Sequence, residues 1–263
     1  METNIIYNTD CINGIKENIN EESVDLIITD PPFAIDFKAK KANYNREEET
    51  VIDDYFEIKK EDYYLFNKSW MTEAKRILKD TGSMYVFSGW NHLEDILRSL
   101  RELDFKTINH IIWKYQFGVN CTKKYITSHY HILYVAQNPK KVKFFPFERF
   151  KKGEKTNTKK EARYDDMEDV WVINRENWTG MIKTPTKLPG EIIKKILQYS
   201  SEENDLVCDP FSGSGQVAWF CKEMNRQYIC FEKSKEIYDF SNRRIEENKY
   251  LLKEKKGGKI CPL

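Results

Sequence analysis

Apolar positions along the chain follow two alternating rhythms: short unbroken runs, and stripes that repeat every three or four residues. Val24–Thr29 (Val-Asp-Leu-Ile-Ile-Thr) is a run of the first kind and predicts a buried strand. Phe66, Trp70, Ala74 and Ile77 recur at spacings of four, four and three, and predict one face of a helix. Asp80-Thr81-Gly82 is expected to end that helix, and residues 83–88 to form the next strand. Residues 93–103 read as a helix with Leu93, Ile96, Leu97 and Leu100 on one side, and 108–114 and 131–137 as two further strands. The pattern then repeats. Pro189 suits a helix start, with Ile192, Ile193, Ile196 and Leu197 as its apolar face. Leu206–Asp209 and Gln227–Phe231 read as strands around a helix marked by Val217, Phe220, Cys221 and Met224, and a charged amphipathic helix begins at 235. Such alternation argues for α/β layering.

Two stretches break the rhythm. Residues 34–61 are long, polar and charged, with Lys38, Lys40 and Lys41 ahead of Glu47, Glu48 and Glu49; a loop of this length in a compact domain is usually functional. It is expected to be mobile. Residues 139–179 interleave Lys140, Lys141, Lys143, Arg149, Lys151, Lys152, Lys155, Lys159, Lys160 and Arg163 with Phe144, Phe145, Phe147 and Phe150. No internal repeat is found, and 253–259 reads as a frayed tail.

With 263 residues, the chain can hold one sizeable core and an inserted lobe. Hydrophobic residues at 40% and aromatics at 14% exclude a disordered chain. The 43 basic and 42 acidic side chains leave a net charge of +1, so a nucleic-acid partner has to be met by a local basic patch. Cys11, Cys121, Cys208, Cys221, Cys230 and Cys261 form no CxxC pair, which favours buried reduced thiols over zinc or disulfides. His92, His110, His129 and His131 lack metal-ligand spacing and read as surface or core histidines; no metal is expected. The amino terminus lacks the basic and apolar regions of a signal peptide. No uncharged stretch approaches the ~20 residues needed to cross a bilayer. A cytoplasmic location and no membrane partner are expected.

Candidate chemistry sits at two strand ends. Asp30-Pro31-Pro32-Phe33 follows Val24–Thr29, at the carboxyl end where open α/β sheets hold ligands. A carboxylate and a carbonyl there can accept both hydrogens of an amino group while a ring stacks on its heterocycle. Alone, the tetrapeptide is also compatible with a rigid turn. Asp209-Pro210-Phe211-Ser212-Gly213-Ser214-Gly215 links the strand 206–209 to a helix, and its glycines let the backbone approach a ligand. Gly215-Gln216-Val217 replaces the Gly-Lys-Ser/Thr of a phosphate-binding P-loop, which excludes that reading. Glu232 follows the next strand, where a carboxylate typically grips ribose hydroxyls, although a helix-capping glutamate fits equally.

Together these motifs resemble the amino-group DNA methyltransferases, which use S-adenosylmethionine to methylate adenine N6 or cytosine N4. Asp30-Pro31-Pro32-Phe33 is similar to the family's catalytic Asp-Pro-Pro-Tyr/Phe motif, and Asp209 through Gly215 to its cofactor motif. Catalytic before cofactor motif is the order of the beta group. Asp10-Cys11 stands where that group has an acidic cofactor contact. Thr184-Pro185-Thr186-Lys187-Leu188-Pro189 resembles a His-Pro-Thr-Gln-Lys-Pro segment beside the cofactor's methionine end, with Thr184 for the histidine and Leu188 for the lysine. Trp113-Lys114 resembles the opening of another family segment, and Tyr130, after His129, stands where it carries glutamate.

The resemblance implies a Rossmann-like methyltransferase fold in one domain, residues 1–263, with a mostly parallel sheet, helices on both faces and a target-recognition insertion at 139–179. Asn120, Lys123 and Lys124 are further DNA candidates. It implies Asp30, Pro31, Pro32 and Phe33 as catalytic residues, and Asp10, Cys11, Asp30, Thr184, Thr186, Asp209, Phe211, Ser212, Gly213, Ser214, Gly215 and Glu232 around S-adenosylmethionine. Double-stranded DNA is the implied substrate, its target base flipped out and methylated directly. A cognate restriction endonuclease and a homodimer are the implied partners. Aspartate at position 30 leans toward adenine N6, because cytosine-N4 enzymes more often carry serine there. Cytosine-N4 methylation, RNA or protein-amide methylation, and an inactive DNA-binding subunit remain alternatives.

Overall fold

The computed structural model describes residues 1–34, 58–116, 122–146, 149, 166–176 and 187–250. Within them the order is β1 (Ile5–Tyr7), α1 (Cys11–Asn18), β2 (Val24–Thr29), a 3-10 turn (Lys60–Asp62), α2 (Tyr63–Ile77), β3 (Leu78–Ser88), α3 (Leu93–Glu102), β4 (Lys106–Lys114), β5 (His129–Ala136) and β6 (Val170–Val172). It continues with α4 (Gly190–Ser200), β7 (Leu206–Asp209), α5 (Gln216–Glu223), β8 (Gln227–Phe231) and α6 (Lys235–Glu246). The strands form a single sheet in the order β1-β8-β7-β2-β3-β5-β4-β6. Only β5 runs against its neighbours. This is the expected mostly parallel α/β sheet.

Helices cover both faces, which explains why β2 reads as an unbroken apolar run instead of an alternating one. All six of its residues are buried. Leu26 and Ile28 join a core with α4 and α5 through Ile192, Ile196 and Val217. Ile27 points the other way, into a core with Ile15 of α1, Trp70, Met71 and Ala74 of α2, and Ile96 of α3. No helix among the described residues is long and apolar enough to cross a membrane.

β4 and β5 each begin two residues earlier than expected, and the largest difference lies between α2 and β3. The turn-like Asp80-Thr81-Gly82 does not end α2, which stops at Ile77; it lies inside β3. Val24 pairs with Leu78 and Leu26 with Ser83, so the intervening residues of β3 form a bulge. Gly82 is needed there, because a Cβ would sit 2.9 Å from the Asp25 carbonyl oxygen. Asp25 holds the region together, accepting from Lys79 at 2.8 Å, Lys143 at 3.2 Å and the Leu206 amide at 3.0 Å.

Part of the 139–179 excursion belongs to the sheet. β6 pairs in parallel with β4, setting Trp113 opposite Trp171. Several of its basic side chains bond within the protein: Lys141 to Asp80 (2.6 Å), Lys143 to Asp205 (2.6 Å), and Arg149 to Asp166 (3.0 Å) and Glu191 (2.5 Å). Phe144 stacks on Tyr199 with ring centroids 5.4 Å apart. Positions 150–165, most of the basic run, lie outside the described residues, as do 35–57, Asn120, Phe147 and the 253–259 tail. Cys11, Cys208, Cys221 and Cys230 are buried free thiols, while Cys121 and Cys261 are outside the described residues.

Candidate active site

Parallel neighbours β2 and β7 bring Asp30 and Asp209 to the same edge of the sheet, where β2 divides β3 from β7 and β8. Asp30 is half-buried, yet its Oδ1 is sealed from solvent and has no hydrogen-bond partner among the described residues. Burial raises its pKa to about 7, against the opposing pull of the Arg175 guanidinium. Pro31 and Pro32 follow, and Gly89 at the end of β3 lies against the Phe33 ring. The chain then turns through buried Ala34 at φ +51°, a left-handed conformation that costs a non-glycine residue about 1–3 kcal/mol.

The loop between β7 and α5 is shaped from several sides. Asp209 Oδ1 accepts the Phe211 amide at 3.0 Å, and the Ser212 amide donates to the Phe231 carbonyl at 2.8 Å. Burial pushes Asp209 well above the carboxylate range, and the charges of Asp30 and Glu232 push the same way. Gly213 (φ +50°) and Gly215 (φ +74°) occupy conformations that favour glycine, and a Cβ at Gly215 would lie 2.9 Å from Ser241 Cβ. Glu232 Oε2 accepts the Gly213 amide at 2.9 Å and its Oε1 the Ser234 amide at 2.8 Å. From behind, the fully buried Arg244 donates to the Ser214 carbonyl, to Gln216 Oε1 (2.9 Å) and to the Tyr250 carbonyl (3.0 Å).

Asp10 and Cys11 stand one strand further along, beyond β1, which pairs with β8. Asp10 caps α1, its Oδ1 accepting the Ile12 and Asn13 amides at 3.1 Å. Burial raises the Cys11 thiol far above its ordinary pKa, with the Asp10 charge adding to the effect. Thr184 and Thr186 lie outside the described residues. The fold therefore gathers Asp30–Phe33, the 209–215 loop and Glu232 at one sheet edge, with Asp10 and Cys11 flanking it.

Two residues at this edge, Tyr115 and Arg175, carried no signal in the sequence. Phe33 faces Tyr130 with ring centroids 5.6 Å apart; Tyr130 in turn packs on Trp113 (5.5 Å) and Tyr115 (5.7 Å). Arg175 lies 4.1 Å from the Tyr115 ring centroid and 5.3 Å from that of Tyr130. No local motif marks Arg175, because β6 pairing is what returns it to the site. The histidines are also less scattered than their spacing predicts. β4 and β5 bring His110 Nε2 within 2.8 Å of His131 Nδ1, and the His129 ring within 5.2 Å of His131. Burial and the other two histidines press the His131 pKa down to about 4. No group of three or more metal-ligating side chains among the described residues is arranged to hold a metal.

A family model for DNA methylases of the N6/N4 type matches residues 24–243. The chain belongs to this N6/N4 DNA methylase family. It is 31% identical over 242 residues to the type II methyltransferase M.HpaI of Haemophilus parainfluenzae, covering 90% of this chain and 73% of that protein. Against M.HinfI of Haemophilus influenzae the identity is 29%, covering 94% and 69%. The fold is shared with the cytosine-N4-specific PvuII DNA methyltransferase at TM-score 0.70 and 18% identity, covering 91% of this chain and 85% of that one. It is also shared with M1.HpyAVI in complex with S-adenosylmethionine, at TM-score 0.60 and 23% identity, covering 91% and 98%.

S-adenosylmethionine is the cofactor of this methyltransferase. The residues present fit it. Among the described residues, a Cβ at Gly213 would meet only one atom within 4 Å, the Phe211 carbonyl oxygen at 3.9 Å, so the loop offers open backbone. Ser212 Oγ is buried with no hydrogen-bond partner among the described residues, and Glu232 presents a carboxylate beside it.

Proposed function

We propose that the enzyme methylates adenine N6 at specific sites in double-stranded DNA, acting on a base flipped out of the helix. The observation that carries this reading is the buried Asp30 Oδ1, without a hydrogen-bond partner among the described residues, in the same tetrapeptide as Phe33 and at the edge that also holds the glycine loop. An exocyclic amine is paired and stacked inside a duplex, so flipping is required to present it. In this reading Phe33 stacks on the base, and Asp30 and the Pro31 carbonyl each accept one amine hydrogen. Those two bonds direct the nitrogen lone pair away from the ring system. Bound S-adenosylmethionine supplies an electrophilic sulfonium methyl group.

Pro31 and Pro32 stiffen the acceptor pair, so catalysis is chiefly positioning and preorganised electrostatics. The cofactor is assigned to the 209–215 loop, Glu232, Asp10, Cys11, Thr184 and Thr186. Glu232→Ala is expected to weaken S-adenosylmethionine binding about 10- to 100-fold, the loss of one or two charge-assisted hydrogen bonds. Isothermal calorimetry on the DNA-free enzyme measures this, and unchanged affinity would remove Glu232 from the cofactor site.

Adenine is preferred to cytosine N4 on the strength of aspartate at position 30. The PvuII enzyme keeps cytosine N4 as the second reading, because the same fold serves that base. The type II relatives favour a restriction–modification setting with a cognate endonuclease, and a homodimer belongs to the same proposal. The 139–179 stretch is proposed to recognise the target and the 34–61 loop to border the active site.

Modified-base sequencing of DNA from a methylation-free bacterial host expressing the chain tests the reading. N6-methyladenine confined to one short motif is the expected result. N4-methylcytosine would move the assignment to the other base. Neither mark, from folded protein that binds S-adenosylmethionine, would favour an inactive DNA-binding subunit.

A further inference from the structure

Arg175 is exposed, yet it does not extend freely into solvent. Its guanidinium stacks on the buried Tyr115 ring at 4.1 Å and reaches the Tyr130 ring at 5.3 Å, and Tyr130 packs against Phe33. The backbone just after β6 is anchored: the Ile173 amide donates to the Lys114 carbonyl at 3.0 Å, and the Trp113 indole to the Ile173 carbonyl at 2.8 Å. Asn174 accepts the Gln116 amide at 3.3 Å. A cation is thereby seated on the aromatic wall of the catalytic motif, fixed by a strand pairing and by two rings.

We infer that Arg175 is a positioning residue of the methyl-transfer site, acting through Asp30: its fixed positive charge keeps the Asp30 carboxylate ionised and ready to accept the amine. The inference rests on Asp30 being the acceptor proposed above. The ionised form is the one that needs help. Burial favours the neutral acid, and a protonated Oδ1 would offer the amine a hydrogen instead of a lone pair.

Among the described residues, the groups facing Asp30 leave few other sources of support. Asp209 on β7, itself pushed well above the carboxylate range by burial, offers no positive charge, and Tyr130 on β5 is a phenol whose own pKa burial raises further. The end of β3 presents Ser88 and Gly89, which do not titrate in this range. Among these neighbours Arg175 supplies the opposing charge, and its pull is already part of the Asp30 pKa near 7, which burial alone would set higher. Methyl transfer is accordingly expected to fall as pH drops through about 7.

Two variants test the assignment, Arg175→Gln and Arg175→Lys, with two readouts. Carbon-13 NMR of the Asp30 carboxyl in the DNA-free enzyme, assigned with Asp30→Asn, reports ionisation without relying on activity. The pH profile of kcat reports its consequence. Arg175→Gln is expected to move the Asp30 titration and the acid limb of kcat to higher pH together. The loss should be about three- to tenfold at pH 6.5, closing by pH 9. Arg175→Lys keeps the charge and is expected to restore both toward wild type.

An Asp30 titration unmoved by Arg175→Gln overturns the inference, as does an Arg175→Lys variant that behaves like Arg175→Gln. A change confined to a salt-dependent KM for DNA would make the side chain a phosphate contact instead. A shifted NMR titration in a protein that methylates no amine would leave the electrostatic coupling standing and remove the proposed reaction. The two failures are therefore distinguishable.

Discussion

Asp30→Asn is expected to lower methyl transfer by about 10²- to 10³-fold, the usual loss for one preorganised polar contact to the reacting group. Asp30→Ala should do at least the same. The asparagine amide keeps the shape but replaces one acceptor oxygen with a donor, which cannot receive an amine hydrogen. S-adenosylmethionine binding should largely survive in both variants, because the 209–215 loop is held by Asp209, Glu232 and Arg244. Single-turnover methylation and calorimetry separate the two effects. Full activity in Asp30→Ala would remove the proposed role.

The same substitution should strengthen the fold. The Asp30 pKa is raised to about 7 in the folded protein, whereas an unfolded chain ionises near 3.9. Between those values the native state holds the extra proton, so stability falls as pH rises from about 4 through about 7 and stays reduced above. Asparagine carries no charge to bury. At pH 8 the Asp30→Asn variant should therefore gain on the order of 1–4 kcal/mol over wild type, and the gain should vanish near pH 4. A catalytic loss with a pH-dependent stability gain marks a carboxylate kept buried for function.

Trp70→Ala is expected to cost about 3–5 kcal/mol of unfolding free energy, the usual range for emptying a large core site. Trp70 is fully buried, and its ring meets Phe211 edge-on at 5.5 Å and 88°. Its indole also donates to Asn67 Oδ1 at 3.0 Å, while the buried Asn67 amide is committed to the Tyr63 carbonyl at 2.8 Å. Alanine would leave Asn67 Oδ1 buried without that donor, which places the expected cost at the upper end. Urea unfolding measures the loss, and a change below about 1.5 kcal/mol would mean the site collapses around the smaller side chain. Because Phe211 rests on Trp70 and Phe66, S-adenosylmethionine affinity should fall in the same variant. Trp70 would then link the core to the cofactor loop.

Much of the fold was legible because burial on both faces leaves a strong mark on sequence. β2, β7 and β8 have the bounds that their apolar runs predict, and α2 buries Trp70, Ala74 and Ile77 as its stripe predicts. β1 and β6, with three residues each, are too short to show a period, and they exist because a neighbouring strand supplies their hydrogen bonds. Asp80-Thr81-Gly82 has the composition of a chain reversal, but pairing on either side of it absorbs the turn as a bulge.

The chemistry divides along the same line. Asp30-Pro31-Pro32-Phe33, Asp209 through Gly215 and Glu232 are legible as candidates because each is a short signal at a strand end; alone each also fits a turn or a cap, and their combination carries the resemblance. Composition and periodicity likewise determine the α/β class. Tertiary structure alone decided which groups surround them. Arg175 reaches the rings of Tyr115 and Tyr130 only through β6, those rings form a wall only because β4 and β5 pair, and the same pairing brings His110 to His131. A charge or ring tens of residues away leaves no trace in local pattern, because its effect depends on distance in space, which only the assembled sheet sets.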